Sequence, residues 1–193
     1  PGMTILFFVG LKDDLMVLDP KKKIMAQLAA ITFILMEPGL LPTNFHGFLG
    51  LAEVPIWLST ISAYFIVLCV INAYNLIDGI DGLAGSVGVF AIALLGGWFF
   101  IEGSLPLSFL CFSFVGGFIA FLFYNWQPSK IFMGDTGALL IGFFVACLVI
   151  LFLNKNQNLT NEFSLKFHNP ISISISLLII PLLDTIRVFI IRL

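Results

Sequence analysis

Long apolar runs, separated by short polar stretches, make up most of this chain. The apolar runs cover residues 24–36, 55–71, 83–101, 107–123, 138–153 and 170–191, with a shorter one at 3–9. Runs of this kind predict membrane helices, because a spanning α-helix needs roughly 20 mostly apolar residues and open strands cannot satisfy their backbone in lipid. We therefore predict an all-α fold, a polytopic transmembrane helix bundle with six complete helices and one stub in a single membrane domain, residues 1–193.

Composition supports a membrane protein and excludes several other classes. The chain is 60% hydrophobic and 10% charged, whereas soluble domains have about 45–50% apolar and about 25% charged residues. A net charge of −2 gives no footprint for nucleic acid. The three cysteines lie inside apolar runs, without metal spacing or a disulfide framework. Both termini adjoin apolar runs, so we expect an internal fragment of a longer protein, truncated at both ends.

The basic residues predict which way the helices cross the membrane. Three polar stretches, at about 10–23, 72–82 and 124–136, are separated by two predicted helices each and must therefore share one side. Seven of the nine basic residues lie on or near that side, and only Lys155 and Lys166 lie on the other. The positive-inside rule places the three stretches in the cytoplasm. We expect a multi-pass membrane protein with its unusual polar residues gathered at the cytoplasmic surface.

The middle polar stretch concentrates amides and carboxylates at the end of a predicted helix. Asn75, Asp78 and Asp81 are three residues apart, so that on a helix or tight turn they share roughly one face. Asn, Asp and Gly are also ordinary turn residues. Ionisable groups at the end of a membrane helix are functional candidates by default. Four polar groups at this spacing, with Asn72, favour a functional site.

Together the cytoplasmic stretches offer carboxylates, amides and lysines for one site. The candidate residues are Asp13, Asp14, Lys23, Asn75, Asp78, Asp81, Lys130 and Asp135. Carboxylate and amide oxygens are hard ligands that suit Mg²⁺ or Mn²⁺. Acids, a hard cation and lysines in one place indicate diphosphate chemistry, with a lipid as one substrate. Gly134, at the start of a predicted helix, begins a segment whose N–H groups can face an anion.

Each acid also has a purely structural interpretation. The pair Asp13 and Asp14 could be a solvated turn, although adjacent carboxylates repel and favour a nearby cation. Asp135 could simply cap the helix that follows it. Asp184 and Arg187 are one helical turn apart and could pair only with each other.

Three motifs occur in an order that resembles a known family. They are Gly10-Leu-Lys-Asp-Asp14 with Pro20-x-x-Lys23-x-x-x-Gln27, then Asn72-Ala-Tyr-Asn-Leu-Ile-Asp-Gly-Ile-Asp-Gly-Leu-Ala84, then Phe132-Met-Gly-Asp-Thr-Gly137. The chain is similar over essentially its whole length to the polyprenyl-phosphate N-acetylhexosamine-1-phosphate transferases of glycosyltransferase family 4. The resemblance implies transfer of an N-acetylhexosamine 1-phosphate from a UDP-sugar to undecaprenyl phosphate, in a cell-envelope polysaccharide pathway.

The resemblance also implies a role for each candidate residue. Asp13 and Asp14 would be the catalytic pair near the lipid phosphate, and Lys23 would contact phosphate. Asp135, with Asn75, would hold Mg²⁺. Asp78 and Asp81 would line the nucleotide-sugar pocket, and Gly134 is expected to bind substrate. A histidine-rich loop that the family usually carries is expected beyond residue 193.

Several alternatives stay open at this point. Asp19-Pro20 and the segment 45–50 resemble the branch that uses GlcNAc (N-acetylglucosamine), and the phospho-MurNAc-pentapeptide transferases are the neighbouring branch. The motif of a CDP-alcohol phosphotransferase would continue past Leu83 in a way that this sequence does not. An intramembrane prenyltransferase would not need Gly134 and Asp135. An ion-coupled transporter would place its acids near the bilayer midplane. Partners are the bilayer, the UDP-N-acetylhexosamine and the lipid phosphate, with a homodimer left open.

Overall fold

A computed structural model describes residues 1–37, 39–45, 54–160 and 165–192. Seven α-helices lie within them: α1 (Gly2–Leu15), α2 (Pro20–Leu35), α3 (Ile56–Ile77), α4 (Leu83–Glu102), α5 (Leu105–Asn125), α6 (Gly134–Asn158) and α7 (Pro170–Arg192). Five of these, α3 to α7, are long and apolar enough to cross a membrane. The predicted all-α, polytopic membrane bundle is confirmed.

The first two helices are shorter than the other five. The sequence analysis counted α2 as a complete crossing, but its 16 residues extend only about 24 Å, compared with about 30 Å of hydrocarbon in a bilayer. α1 has 14 residues and continues well past the predicted stub at 3–9. Both helices carry site residues, because α1 ends just after Asp14 and α2 begins just before Lys23.

α6 is the central helix of the bundle and packs against α1, α3, α4 and α7. In the most apolar 18-residue segment of α6, 78% of the residues are buried, whereas in that of α5 only 11% are buried. A helix that is apolar on all faces is typical of a buried position. Close approach to α3 depends on Gly142, where an added Cβ would lie 2.9 Å from the Cα of Ile71. Small residues allow such contacts between membrane helices.

The helices extend further into the three polar stretches than predicted. α1 includes Asp13 and Asp14, α3 includes Asn75, and α6 starts at Gly134, so that the connecting segments shrink to 16–19, 78–82 and 126–133. Polar side chains disrupt helices mainly by bonding to the local backbone. Here they bond to residues of other helices, so the helical backbone continues through them.

At the opposite end of α6, part of the predicted polar loop 154–169 is also helical. Asn154 donates a hydrogen bond to the carbonyl of Gly39 at 2.7 Å. Asn156 donates to the carbonyl of Phe167 and accepts from its N–H, both at 2.9 Å. These helical amides hold the neighbouring loops against the end of α6.

The segment that favoured the GlcNAc branch cannot be compared with the fold. Residues 46–50 lie outside the described residues, and His46 is among them. The second histidine, His168, follows Phe167 and therefore lies near the end of α6 that carries Asn156.

Candidate active site

The centre of the candidate site is an ammonium group held between two carboxylates. Nζ of Lys23 lies 3.0 Å from Oδ2 of Asp13 and 2.7 Å from Oδ2 of Asp135, and the lysine side chain is only 16% exposed. Asp19 caps α2 by accepting a hydrogen bond from the N–H of Lys21 at 2.8 Å. The cap starts α2 where Lys23, one turn in, reaches α1 and α6. Residues 122 positions apart thus share one cation.

Asp13 is stabilised in its charged form. Its Oδ1 accepts a hydrogen bond from the N–H of Leu18 at 2.6 Å. A hydrogen bond with the Asp135 side chain, helped by Leu18 and Lys23 and opposed by burial, lowers the pKa of Asp13 to about 2. Asp13 is therefore ionised at neutral pH.

Two amides of α3 connect the site to the surrounding helices. Asn75, in the last turn of α3, donates a hydrogen bond from Nδ2 to Oδ1 of Asp135. One turn earlier, Nδ2 of Asn72 donates to Oε1 of the fully buried Gln27 at 3.0 Å. The sequence analysis quoted Gln27 and Asn72 within motifs but assigned them no role. They join α2 to α3 immediately beside the site.

Asp14 contacts the first turn of α6. Its Oδ1 accepts from the N–H of Asp135 at 2.7 Å, and its Oδ2 accepts from the N–H of Thr136 at 3.1 Å and from Oγ1 of Thr136 at 2.6 Å. The sequence analysis expected these N–H groups to face an anion. In the structure that anion is the protein's own carboxylate.

Asp78 lies next to this group of acids, just after α3 ends. Burial, together with the negative charges of Asp135, Asp14 and Asp81, raises the pKa of Asp78 to about 7, and a hydrogen bond from the N–H of Gly134 opposes this rise. Gly134 was predicted to bind substrate, and its N–H is directed at Asp78. Asp78 is consequently a carboxyl group that changes charge near neutral pH.

Asp81 lies at the edge of the site, and a buried amide holds the loops there together. Oδ2 of Asp81 accepts from the N–H of Ser129 at 3.4 Å. Asn125 accepts from the N–H of Gly82 at 2.9 Å and donates to the carbonyl of Ile131 at 2.8 Å. The sequence analysis gave Asn125 no role. Its position as the last residue of an otherwise apolar helix was the available signal.

Two open spaces adjoin these residues. A polar cleft of about 410 Å³ is lined by Asp13, Lys23, Asn72, Asn75 and Asp135, together with Val17, Leu18, Pro20 and Ile24. An apolar groove of about 580 Å³ runs between α5 and the start of α6 and is lined by Leu110, Ser113, Phe114, Gly117, Phe118, Phe121, Met133, Thr136 and Gly137. Because Asp135 and Thr136 are neighbours, the groove and the cleft begin on adjacent residues.

The donor atoms of the cleft fit a hard divalent cation. The carboxylates of Asp13 and Asp135 converge on the ammonium of Lys23, and the amide of Asn75 adjoins Asp135. Among the described residues, no three His, Cys, Asp or Glu side chains form a ready-made metal site. Mg²⁺ is usually bound by one or two carboxylates together with water and substrate phosphates. The oxygen donors present would fit Mg²⁺ if phosphate oxygens of a substrate completed its coordination shell.

The sequence is similar to those of known proteins. The profile of Glycosyl transferase family 4 matches residues 2–153. The probable undecaprenyl-phosphate N-acetylglucosaminyl 1-phosphate transferase of Bacillus subtilis (strain 168) is 32% identical over 185 residues, which are 95% of this chain and 49% of that protein. A phospho-N-acetylmuramoyl-pentapeptide-transferase of Listeria monocytogenes (serotype 4b, strain CLIP80459) is 34% identical over 143 residues, 69% of this chain and 42% of that protein.

The chain spans about half the length, or less, of these curated relatives. The match to the family begins at the first residue of α1 and ends in the fifth turn of α6. It therefore contains every residue of the site described above, and the resemblance seen in the motifs is confirmed. The chain belongs to Glycosyl transferase family 4.

Proposed function

We propose that the protein transfers N-acetylhexosamine 1-phosphate from a UDP-sugar to undecaprenyl phosphate and releases UMP. The observation that carries this proposal is the convergence of Asp13, Lys23 and Asp135 at one end of a membrane bundle. With a divalent cation bound, such a group could hold phosphates beside the lipid surface. The name of the Bacillus subtilis relative supports GlcNAc as the sugar and undecaprenyl phosphate as the acceptor.

The transfer replaces one phosphoanhydride bond with another. An oxygen of the lipid phosphate forms a bond to the sugar-linked phosphorus, while the bond from that phosphorus to the UMP oxygen breaks and UMP leaves with the electron pair. Lys23 is placed to neutralise the phosphates. Asp13 either keeps the lipid phosphate deprotonated or attacks phosphorus first to form a covalent intermediate. Its low pKa keeps it ionised, as attack on phosphorus requires, but also makes it a weak base toward a phosphate proton.

Magnesium, or manganese in its place, completes the proposal. Asp135 and Asn75 would hold the ion, which when bound supplies positive charge for the diphosphate oxygens. Asp78 and Asp81 would line the nucleotide-sugar pocket. With a pKa of about 7, Asp78 can be neutral near the bound phosphates and so avoid repelling them.

The proposed orientation places this site at the cytoplasmic face of the bacterial plasma membrane. The excess of basic residues on the site side supports that orientation. The apolar groove would hold the undecaprenyl chain, because it starts at Thr136, beside Asp135. A lipid lying there would present its phosphate to the carboxylates.

Transfer of phospho-MurNAc-pentapeptide is the second candidate. It is favoured by the relative from Listeria monocytogenes, which matches 69% of this chain at 34% identity. Both candidates use the same acceptor and release UMP, so that they differ only in the donor. Membership of the family leaves the prenyltransferase and transporter alternatives without support.

UMP release tests the proposal. Membranes carrying the complete natural protein are incubated with undecaprenyl phosphate, Mg²⁺ and either UDP-GlcNAc or UDP-MurNAc-pentapeptide. We expect UMP with UDP-GlcNAc; release with the pentapeptide donor alone would favour the second candidate. No UMP with any UDP-N-acetylhexosamine would overturn both. Exchange of labelled UMP into UDP-GlcNAc without lipid would indicate the covalent route.

A further inference from the structure

The two adjacent aspartates of α1 have different surroundings. Asp13 lines the polar cleft and contacts Lys23. Asp14 instead receives three hydrogen bonds from the first turn of α6, two from N–H groups and one from the Thr136 hydroxyl. One aspartate therefore faces the reaction space, and the other is committed to a helix end.

Asp14 takes the position that a capping residue normally occupies. α6 starts at Gly134, and the preceding Met133 makes no side-chain capping bond. The second and third N–H groups of a helix are the ones that an N-cap side chain accepts from. Here these belong to Asp135 and Thr136, and Asp14 accepts from both. A carboxylate also interacts favourably with the positive end of the helix dipole.

Two glycines allow α1 to come this close to α6. At Gly10, an added Cβ would lie 2.5 Å from Cα of Thr136 and 2.7 Å from its nitrogen. At Gly134, φ is +64°, which favours glycine, and an added Cβ would lie 2.8 Å from both carboxylate oxygens of Asp14. Neither Gly10 nor Gly134 therefore has a side chain that would hold α1 and α6 apart.

We propose that Asp14 and Thr136 are positioning residues that set the place of Asp135 from α1. The carboxylate of Asp14 fixes the N–H of Asp135, and the Thr136 hydroxyl fixes Asp14. Asp135 in turn contacts Lys23 and Asn75. The inference rests on the proposed function, in which Asp135 holds the metal ion.

Metal affinity is the readout that separates positioning from general stability. Thr136→Val removes the hydroxyl and keeps the side-chain shape. We expect it to raise the Mg²⁺ concentration for half-maximal UMP release by about 10–100-fold, the usual effect of removing a partner behind a metal ligand. Thr136→Ser keeps the hydroxyl and should stay within about twofold of wild type on the same scale.

A matched control comes from the other end of α3. Thr60 donates its hydroxyl to the carbonyl of Ile56 at 2.8 Å, within one helix. Thr60→Val should leave the Mg²⁺ midpoint unchanged. Equal midpoints for Thr136→Val and wild type, or equal losses for Thr136→Val and Thr136→Ser, would overturn the inference.

Binding of Mn²⁺ to the purified protein, followed by electron paramagnetic resonance, gives a second readout that needs no turnover. Asp14→Asn and Thr136→Val should each weaken binding, and the double variant should be no weaker than the worse single variant. If the two losses multiply instead, Asp14 and Thr136 act independently and the inference fails.

This pair of readouts keeps the inference separate from the proposed function. A wild-type protein that binds Mn²⁺ but never releases UMP would remove the proposed function, and the variants would still test the positioning role. A protein that releases UMP while binding no Mn²⁺ would overturn the positioning inference and leave the transfer standing.

Discussion

The two ends of α6 both carry buried or half-buried polar groups, but they are built from different chemistry. At the N-terminal end, Asp135 lies among other carboxylates, with Lys23 as the ammonium between two of them. At the C-terminal end, neutral amides such as Asn154 and Asn156 pair with backbone groups of adjacent loops. One helix therefore carries a crowded group of carboxylates at one end, and at the other end it carries mainly amides together with an ion pair, Lys155 with Glu102 at 3.3 Å.

The difference supports the proposed function, in which the N-terminal end carries the chemistry and the C-terminal end contributes stability. Paired neutral amides satisfy the backbone groups of buried loops at little cost. Crowded carboxylates repel one another, and burial and this repulsion raise the pKa of Asp78 to about 7. A fold selected only for stability would not assemble such a cluster, and perturbed groups of this kind concentrate at functional sites.

The largest expected effect is on kcat, when a carboxylate at the charged end of α6 is replaced. Asp13→Asn keeps the side-chain shape and removes the charge, and we expect kcat for UMP release to fall by about 10²–10⁴-fold. Asp184→Asn is the matched acid-to-amide control, because Asp184 pairs with Arg187, at 3.3 Å within α7. Its kcat should match wild type. Residual activity of Asp13→Asn close to that of the control would mean that Asp13 takes no part in the reaction.

The apolar groove offers the next largest effect. Gly116 and Gly117 both have open space where a Cβ would lie, but only Gly117 lines the groove. Gly117→Phe should raise KM for undecaprenyl phosphate about tenfold, the cost of excluding roughly two CH₂ groups from an apolar surface. Gly116→Phe is the control and should leave KM unchanged. Equal effects from both variants would place the lipid chain elsewhere.

Breaking the amide end should change stability and leave the chemistry intact. Asn156→Ala leaves the N–H and carbonyl of Phe167 without their partner, and we expect a loss of about 1–3 kcal/mol in the free energy of unfolding. Gln157→Ala removes only an exposed contact with Thr43 and should be nearly neutral. The kcat of folded Asn156→Ala should equal that of wild type. A fall like that of Asp13→Asn would show that the two ends are not separate.

A pH dependence at the charged end gives a further test. Because the pKa of Asp78 rises from 3.8 to about 7 on folding, the folded state binds this proton more tightly than the unfolded state. Stability is then lost as pH rises from about 4 through about 7. In metal-free buffer, Asp78→Asn should therefore melt higher than wild type at pH 8, with the difference absent at pH 4. A pH-independent difference would contradict the shift.

The sequence predicted most of the fold because apolar burial in a bilayer is a property of single segments. The runs that became α3 to α7 could each be recognised without their neighbours. The helix ends could not, since Asp14 and Asn75 remain helical only through partners supplied by another helix. Asn154 misled the prediction because its partners, Gly39 and Leu41, lie in a loop distant in the sequence.

The candidate site was partly predictable in the same sense. Helix parity was enough to collect Asp13 and Asp135 on one side, and the structure brings them to a shared lysine. The separate environments of Asp13 and Asp14 were not predictable, because they depend on how closely Gly10 lets α1 approach Thr136. The bridge made by Asn125 also depends on tertiary packing.

Because α6 is continuous from Asp135 to Asn154, the helix fixes the distance between these two residues. The two residues are 19 positions apart, which corresponds to a rise of about 28 Å, close to the thickness of a bilayer's hydrocarbon layer. The loops at the Asn154 end are bonded to α6, so the length of the helix sets the position of Asp135 relative to the lipid headgroups. A change in bilayer thickness would therefore move Asp135 relative to the headgroups unless the bundle tilts.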